Sequence, residues 1–232
     1  WFKDGGDFVY PEFTAKQLMI GHYPYVPFGG PVFAAIDDGV HWAIWFLQYI
    51  EATGRIHVLD FYRNKGKRTD FYGSLLNGLY HADFAYTGHD EDIIRFIQET
   101  PITFFVGDAH AENWESEKGR SVHDALAQDW NIFVNVNWQQ RDYLSRRVAT
   151  EDLIRFMDFN DTPRMADGLR CLAMYRYRAT PEGKEVAKEQ REPLHNDNSH
   201  AATAMERFAS NFAGLRPVYG GTPFTWVGQP AV

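Results

Sequence analysis

Three apolar segments of strand length follow one another closely near the start of the chain, and they constrain the fold more than any other feature. The segments cover residues 32–37, 43–50 and 55–62, and only short turns containing Asp38-Gly39 and "EATG" separate them. Connections this short join antiparallel neighbours, because a parallel crossover needs a dozen or more residues. The sequence therefore predicts three consecutive antiparallel strands.

Further along the chain, apolar strands alternate with amphipathic helices. The pattern predicts helices over residues 90–100, 121–130, 141–157, 164–178 and from Ser199 onward, and strands over 101–108 and 131–137. The inward residues are expected to be Ile93, Ile94, Phe96 and Ile97 in the first helix and Leu144, Val148, Leu153, Ile154 and Met157 in the third. Three antiparallel strands followed by such crossovers predict an α/β fold with a ribonuclease H-like mixed sheet flanked by helices.

Length and composition indicate one globular domain. The 232 residues are 44% hydrophobic and 16% aromatic, which suffices for a sizeable core. We expect a lead-in segment over residues 1–31, the core domain over 32–213 and a tail over 214–232. The longest apolar run is too short to span a bilayer and no signal peptide opens the chain, so no membrane association is expected. Because no initiator Met is present, we expect the chain to be part of a longer protein.

The cysteine count and the net charge narrow the classes of function. A lone cysteine, Cys171, forms neither an internal disulfide nor a cysteine-based zinc site, which fits a reducing compartment. A net charge of -8 argues against a protein whose whole surface grips nucleic acid, although it allows a local basic groove. No G-x-x-x-x-G-K-[ST] motif occurs, so the sequence carries no P-loop ATPase of its own.

Acidic residues end two of the predicted strands, and a polar cluster precedes the last helix. Asp37 closes "VFAAID" ahead of a turn glycine, and Asp108 closes "ITFFVGD". In "HNDNSH" at 195–200, Ser199 or Asn198 is expected to cap the helix. An Asp-Gly after a strand is often only a turn, but carboxylates at adjacent strand ends repel one another unless a cation lies between them. Hard oxygen ligands favour Mg²⁺ or Mn²⁺, and two such ions about 3.5 to 4 Å apart can promote phosphodiester cleavage.

Four short sequence motifs, which we call landmarks, follow one another along the chain. They are "VYPEF" at 9–13, "IDDG" at 36–39, "VGDAH" at 106–110 and "HNDNSHAATAMERF" at 195–208. Together they resemble the C-terminal nuclease domain of the large terminase subunit of tailed bacteriophages, over nearly the whole chain. The resemblance implies a two-metal-ion DNA endonuclease that cuts concatemeric viral DNA during packaging, with Asp37 and Asp108 as catalytic and metal-binding acids. It also implies double-stranded DNA, an upstream ATPase domain of the same full-length chain, the portal protein and the small terminase subunit as partners in the host cytoplasm.

The sequence departs from the family pattern at the third acid. The family usually has Ser-His, two small residues and then Asp on its C-terminal helix, whereas Thr203 stands at that place here. A hydroxyl brings no charge to a divalent cation, so the third ligand is expected from Asp197, His200 or Glu206. Glu206 lies about one turn beyond Thr203 on the same helical face. Two alternatives remain open, a weak second metal site and an inactive form of the domain.

Basic residues offer candidate contacts to DNA. In "RNKGKR" at 63–68, Gly66 permits a turn that presents Lys65, Lys67 and Arg68 to phosphates. Further candidates are Arg146, Arg147, Arg176 and Arg178. The competing interpretation is a solvated charged face. Contacts of this kind are independent of sequence and sensitive to salt.

Two other functions compete with the nuclease. One is a catalytically weakened module that guides or docks DNA in the packaging motor, an alternative that Thr203 supports. The other is an actin-like or sugar-kinase fold, because "IDDG" after a strand also suits phosphate binding. That fold requires a second related half and Gly-rich phosphate loops, and the sequence shows neither.

Overall fold

The computed structural model describes residues 8–11, 18–108, 119–136, 142–178 and 191–215. Its strands are β1 (Met19–Gly21), β2 (Val32–Asp37), β3 (His41–Ile50), β4 (Arg55–Lys65), β5 (Phe104–Val106), β6 (Val134–Asn135) and β7 (Met157–Asn160). Its helices are α1 (Thr69–Leu76), α2 (Gly88–Glu99), α3 (Val122–Trp130), α4 (Tyr143–Ile154), α5 (Pro163–Ala173) and α6 (Ser199–Leu215). None of these helices is long and apolar enough to cross a membrane.

The seven strands form one mixed sheet in the order β1-β7-β4-β3-β2-β5-β6. β3 pairs antiparallel with both β2 and β4, which confirms the three antiparallel strands predicted from their short connections. β5 pairs parallel with β2 on the side away from β3, and β6 pairs parallel with β5. On the other side, β7 lies parallel to β4 and β1 lies parallel to β7. The predicted ribonuclease H-like α/β fold is confirmed.

Helices cover both faces of the sheet, which explains why its central strands are almost continuously apolar. Successive residues of a strand point to opposite faces. Phe33 and Ala35 of β2 belong to the core shared with α4, α5 and α6, whereas Ala34 and Ile36 belong to the core shared with α1, α2 and α3. By the same alternation, Asp37 ends β2 on the face that α6 covers.

Local sequence signals account for the start of α2. Thr87 and Asp90 form a capping box, in which the Asp90 N–H donates to Thr87 Oγ1 at 3.3 Å and the Thr87 N–H donates to Asp90 Oδ2 at 2.8 Å. Ile93, Ile94 and Ile97 are buried as predicted, and the fourth expected residue of that face is partly buried.

The predicted inward face of the helix over 141–157 is wrong in part. Leu144 and Val148 of α4 are 38% and 45% exposed, whereas Arg147 and Thr150 are buried. Helical spacing grouped the apolar residues, but the side of α4 toward the core also accommodates polar groups with internal partners. The Arg147 guanidinium donates to the Tyr177 hydroxyl at 2.6 Å, and the Thr150 hydroxyl donates to a backbone carbonyl of α4 at 2.8 Å.

Three short elements were not predicted. α1 follows the basic loop, and β7 follows α4 so closely that its first residue, Met157, was assigned to that helix. β1 adds a strand inside the expected lead-in segment. The boundaries of the lead-in, core and tail stay a prediction, because much of residues 1–17 and all of 216–232 lie outside the described residues.

Candidate active site

Asp37 and Asp108 lie at the same end of two adjacent parallel strands. Ala35 of β2 is opposite Val106 of β5. Each aspartate follows two residues later, Asp37 as the last residue of β2 and Asp108 two residues beyond the end of β5. The two carboxylates are close enough for the charge of Asp108 to raise the pKa of Asp37. The adjacent placement that was expected of strand-ending acids is therefore present.

His200, from the first turn of α6, holds Asp37. Its Nδ1 lies 2.7 Å from Asp37 Oδ2, which leaves the Nε2 side of the ring facing away from this carboxylate. Two more imidazoles pack on His200, namely His41 in a stacked arrangement and His195 edge-on, each with ring centroids 5.0 Å away. Burial raises the pKa of Asp37, and the His200 contact offsets part of that rise.

Asp38 is the least satisfied acid of the site. Its side chain is 2% exposed, and neither carboxylate oxygen has a hydrogen bond from another described residue. The turn that buries it depends on Gly39, whose φ of 143° is costly for other residues. Burial, followed by the charge of Asp37, raises the pKa of Asp38 to about 8.

His123 of α3 approaches Asp38 from the face of the sheet that lies opposite α6. Its Nε2 lies 3.9 Å from Asp38 Oδ2 and has no hydrogen-bond partner among the described residues. Burial lowers the pKa of His123 to about 4, so the ring is neutral at neutral pH. The contact is therefore not an ion pair under those conditions, and Asp38 gains no counter-charge from it.

A buried arginine holds the second acid. The Arg207 guanidinium on α6 forms an ion pair with Asp108, and its side chain is only 8% exposed. Arg207 follows Thr203 by four positions, so both lie on one helical face. Burial, followed by the charge of Arg146, lowers the pKa of Arg207, while Asp108, Glu206 and Asp37 oppose that shift.

The three residues proposed as the third metal ligand have different surroundings. His200 contacts Asp37, as described above. Glu206 is 1% exposed, accepts a hydrogen bond from the Tyr10 hydroxyl at 2.7 Å and lies 3.7 Å from Arg146 Nε. Asp197 is largely exposed and lies 3.8 Å from His41 Nδ1. Thr203 itself is partly buried.

The polar cluster before α6 organises the start of that helix. Asn196 Oδ1, rather than Ser199 or Asn198, accepts hydrogen bonds from the first backbone N–H groups, those of Asn198 and Ser199, at 2.9 and 3.2 Å. The Ser199 hydroxyl lies 2.6 Å from the Asn196 carbonyl and 3.2 Å from His195 Nδ1. The cluster thereby fixes His200 against Asp37.

The donor set suits a hard divalent cation, but the side chains are not already arranged around one. Asp37, Asp38 and Asp108 supply carboxylates, and the Asp38 oxygens lack hydrogen bonds from other described residues. Nevertheless, within the described ranges no three His, Cys, Asp or Glu side chains form a group that would hold a metal. His200 and Arg207 engage Asp37 and Asp108 instead. A bound cation would therefore share these two carboxylates with His200 and Arg207.

The predicted DNA-contact residues fall into two groups. Lys65 and Arg68 are exposed and Lys67 is partly exposed on the loop after β4, where Gly66 has a φ of 68°. By contrast, Arg146 and Arg147 point inward, with side chains 13% and 7% exposed. Arg178 is exposed as well, with a side chain 60% exposed, whereas Arg176 is partly buried. The loop after β4 is where exposed candidates follow one another closely along the chain.

Sequence reasoning missed Arg207, Asp38 and His123. Arg207 lies within the "HNDNSHAATAMERF" segment, and Asp38 is the second Asp of "IDDG". The resemblance implies no role for either residue. His123 gave no signal, because a histidine in an amphipathic helix is usually a packing or surface residue. Only the sheet brings it beside residue 38.

Comparison with known proteins finds similarity in structure alone. No family model matches the sequence, and no curated protein matches it. The large terminase of a thermophilic bacteriophage, solved in complex with ADP, superposes with a TM-score of 0.62 at 14% identity over 89% of this chain. This chain spans 45% of that protein, about half its length.

Two isolated nuclease domains are similar over nearly their full length. The large terminase nuclease of the thermophilic phage G20c, with bound cobalt, has a TM-score of 0.56 at 13% identity, over 88% of this chain and 97% of its own. The large terminase nuclease domain of bacteriophage SPP1, with bound Mn, has a TM-score of 0.52 at 13% identity, over 84% and 97%. The chain therefore has the fold of the nuclease domains of phage large terminases.

Proposed function

We propose that this chain is a metal-dependent DNA endonuclease domain of a phage large terminase, cutting concatemeric viral DNA during genome packaging. The observation that carries the proposal is the convergence of Asp37 and Asp108 at the ends of β2 and β5. Two carboxylates at one sheet edge suit a cation that contacts a phosphodiester. The fold similarity supports the same function, since two of the similar structures are terminase nucleases with bound cobalt or Mn.

In this proposal Asp37 and Asp108 hold the cation and the Asp38 carboxyl lies beside them. When bound, Mg²⁺ or Mn²⁺ would polarise a phosphate and lower the pKa of a water molecule. His200 orients Asp37 through the 2.7 Å contact. Its second nitrogen faces away from that carboxylate and is a candidate acceptor for a proton.

The remaining parts of the proposal concern partners. Lys65, Lys67 and Arg68 would contact the phosphates of double-stranded DNA without reading its sequence. Because the chain matches about half of the ADP-bound large terminase, we infer an ATPase domain upstream in the same full-length protein. The portal protein and the small terminase subunit complete the proposed motor, which would work in the host cytoplasm.

Nicking of supercoiled plasmid in Mg²⁺ or Mn²⁺ tests the proposal. Asp37→Asn should abolish cleavage while preserving the fold, because it removes the negative charge and little else. Asp158→Asn is a matched control, since Asp158 is also a buried strand carboxylate but pairs with Arg55 on β4. Cleavage that survives Asp37→Asn, or is lost equally in both variants, would contradict the assignment.

A second candidate is a DNA-guiding or docking module with little nuclease activity. Thr203 in place of a carboxylate and Arg207 on Asp108 favour it, because both reduce the negative charge available to cations. This candidate predicts salt-dependent DNA binding without plasmid cleavage in either metal. The plasmid assay, read beside a binding titration, separates the two functions.

A further inference from the structure

Arg207 places a permanent positive charge inside the acid cluster formed by Asp37, Asp38 and Asp108. Its guanidinium pairs with Asp108, its side chain is 8% exposed, and it acts electrostatically on both Asp37 and Asp38. Burying a guanidinium is costly unless acids surround it. The positive charge of Arg207 therefore acts on the same carboxylates that a cation would bind.

The position of Arg207 on α6 gives this charge a particular meaning. Thr203, one helical turn earlier on the same face, stands where the resemblance leads us to expect a carboxylate. Relative to a cluster with an acid at 203, this one lacks one negative charge, and the Arg207 guanidinium adds one positive charge beside Asp108. The difference is two units, the charge of one divalent ion.

We propose that Arg207 is an internal counter-ion that replaces one of the two divalent cations, so that the domain binds a single divalent cation. This inference rests on the proposed metal-dependent function. The remaining ion would be held by Asp37 and Asp108, with Asp38 beside them, while Arg207 stays paired with Asp108 through Oδ2. A cluster partly neutralised by the protein needs only one external cation to balance its acids.

A purely structural ion pair would behave differently. If Arg207 only fastened α6 to β5, its loss would lower stability and leave the number and affinity of bound ions unchanged. If Arg207 were simply displaced by metal, the wild type would bind two ions. Counting bound ions therefore separates these roles without any cleavage assay.

The experiment titrates Mn²⁺ into the wild type, Arg207→Gln, Arg207→Lys and Arg55→Gln, with free Mn²⁺ followed by electron paramagnetic resonance. We expect one ion in the wild type and in Arg207→Lys, which keeps the charge. Arg207→Gln should bind Mn²⁺ about tenfold more tightly or bind a second ion. Arg55→Gln breaks a comparable ion pair, with Asp158, and should bind as the wild type does.

Each outcome decides the proposal. The proposal is overturned if the wild type binds two ions, whether or not Arg207→Gln folds. It is also overturned if the Arg207→Gln protein binds Mn²⁺ as the wild type does. If Asp37→Asn abolishes binding in those cases, the proposed metal site stands and only the counter-ion role fails. If no variant binds Mn²⁺, both the counter-ion and the metal-dependent function fall. The double variant Thr203→Asp with Arg207→Gln should bind two ions, because it restores the charge of a two-ion cluster.

Discussion

The Tyr10 hydroxyl donates a 2.7 Å hydrogen bond to Glu206 across 196 positions of sequence. Both side chains are buried, and Tyr10 belongs to the "VYPEF" landmark while Glu206 lies one residue before the site arginine on α6. The bond therefore ties the N-terminal landmark to the helix that supplies His200 and Arg207. It also identifies Tyr10 as a structural support of the site rather than a part of its surface.

Removing this hydroxyl should destabilise the fold. Tyr10→Phe leaves the buried Glu206 carboxylate without its hydroxyl donor, and we expect a loss of about 1 to 3 kcal/mol in the free energy of unfolding. Urea denaturation measures the change. Tyr80→Phe is the control, because the Tyr80 side chain is about half exposed. Equal effects of the two substitutions would show that the Tyr10 bond contributes nothing particular.

The charge of Glu206 should make stability fall as the pH rises. Burial raises the pKa of Glu206 above its usual 4.5, and the Tyr10 bond and Arg146 offset only part of that rise. A carboxyl group with a raised folded-state pKa stabilises the fold below the unfolded-state value, and this contribution is lost as pH rises through the folded-state value. Glu206→Gln cannot ionise, so its stability relative to wild type should increase with pH.

Denaturant titrations at several pH values between about 4 and 8 test this dependence. Glu99→Gln, an exposed position at the end of α2, controls for the loss of one charge. A constant difference between Glu206→Gln and wild type across the range would contradict the prediction.

Asp90 should be a strong local determinant of stability. It accepts hydrogen bonds from the Tyr62 hydroxyl at 2.6 Å and from the Thr87 N–H and hydroxyl, each at 2.8 Å. Asn offers only one accepting oxygen, so Asp90→Asn should cost about 2 to 3 kcal/mol at neutral pH. Asp92→Asn, on the same helix but half exposed, should cost less than about 1 kcal/mol.

The same aspartate should contribute to acid unfolding. Burial acts to raise the pKa of Asp90, but the bonds from Tyr62 and Thr87 outweigh it and lower the pKa below the usual 3.8. A lowered carboxyl pKa gives stability that is present above the unfolded-state value and lost as pH falls through the folded-state value. Acid titration of Asp90→Asn should therefore show a smaller loss of stability below about pH 4 than the wild type shows.

The basic loop after β4 should provide salt-dependent DNA affinity. Replacing Lys65, Lys67 and Arg68 with Ala should weaken binding about equally for all sequences and reduce the slope of log affinity against log salt by up to about 3. Fluorescence anisotropy with two unrelated duplexes measures both effects. Arg95→Ala and Arg155→Ala, at exposed arginines elsewhere, serve as controls. An unchanged slope would show that the loop is only a solvated face.

The sequence predicted where the strand-ending acids of the candidate site lie relative to one another. The short turns required β2, β3 and β4 to be neighbours, and an acid at the end of β2 could be located because strand alternation is local. The partners of those acids were beyond such reasoning. Arg207 meets Asp108 across 99 positions, and His200 meets Asp37 across 163. Neither periodicity nor turn chemistry reports contacts of that length.

Errors in the predicted elements had physical causes as well. β7 is only four residues long and begins shortly after α4 ends. Its first residue, Met157, continues the helical spacing of the apolar residues in α4. The buried face of α4 includes Arg147, whose guanidinium is partnered by Tyr177 and Glu151, so counting apolar residues placed the face incorrectly. Internal hydrogen bonding allows a polar side chain to occupy an interior position.

The supply of His200 and Arg207 by α6 has a consequence for the order in which the protein matures. A ribosome releases β2 and β5 before α6, so a nascent chain carries Asp37 and Asp108 without their cationic partners. Mutual repulsion at those strand ends opposes their pairing until the distant helix docks, and contacts so far apart in sequence form late and slowly. In the proposed nuclease, the ability to cut DNA should therefore arise only at the end of folding, and an unfinished chain would not cut.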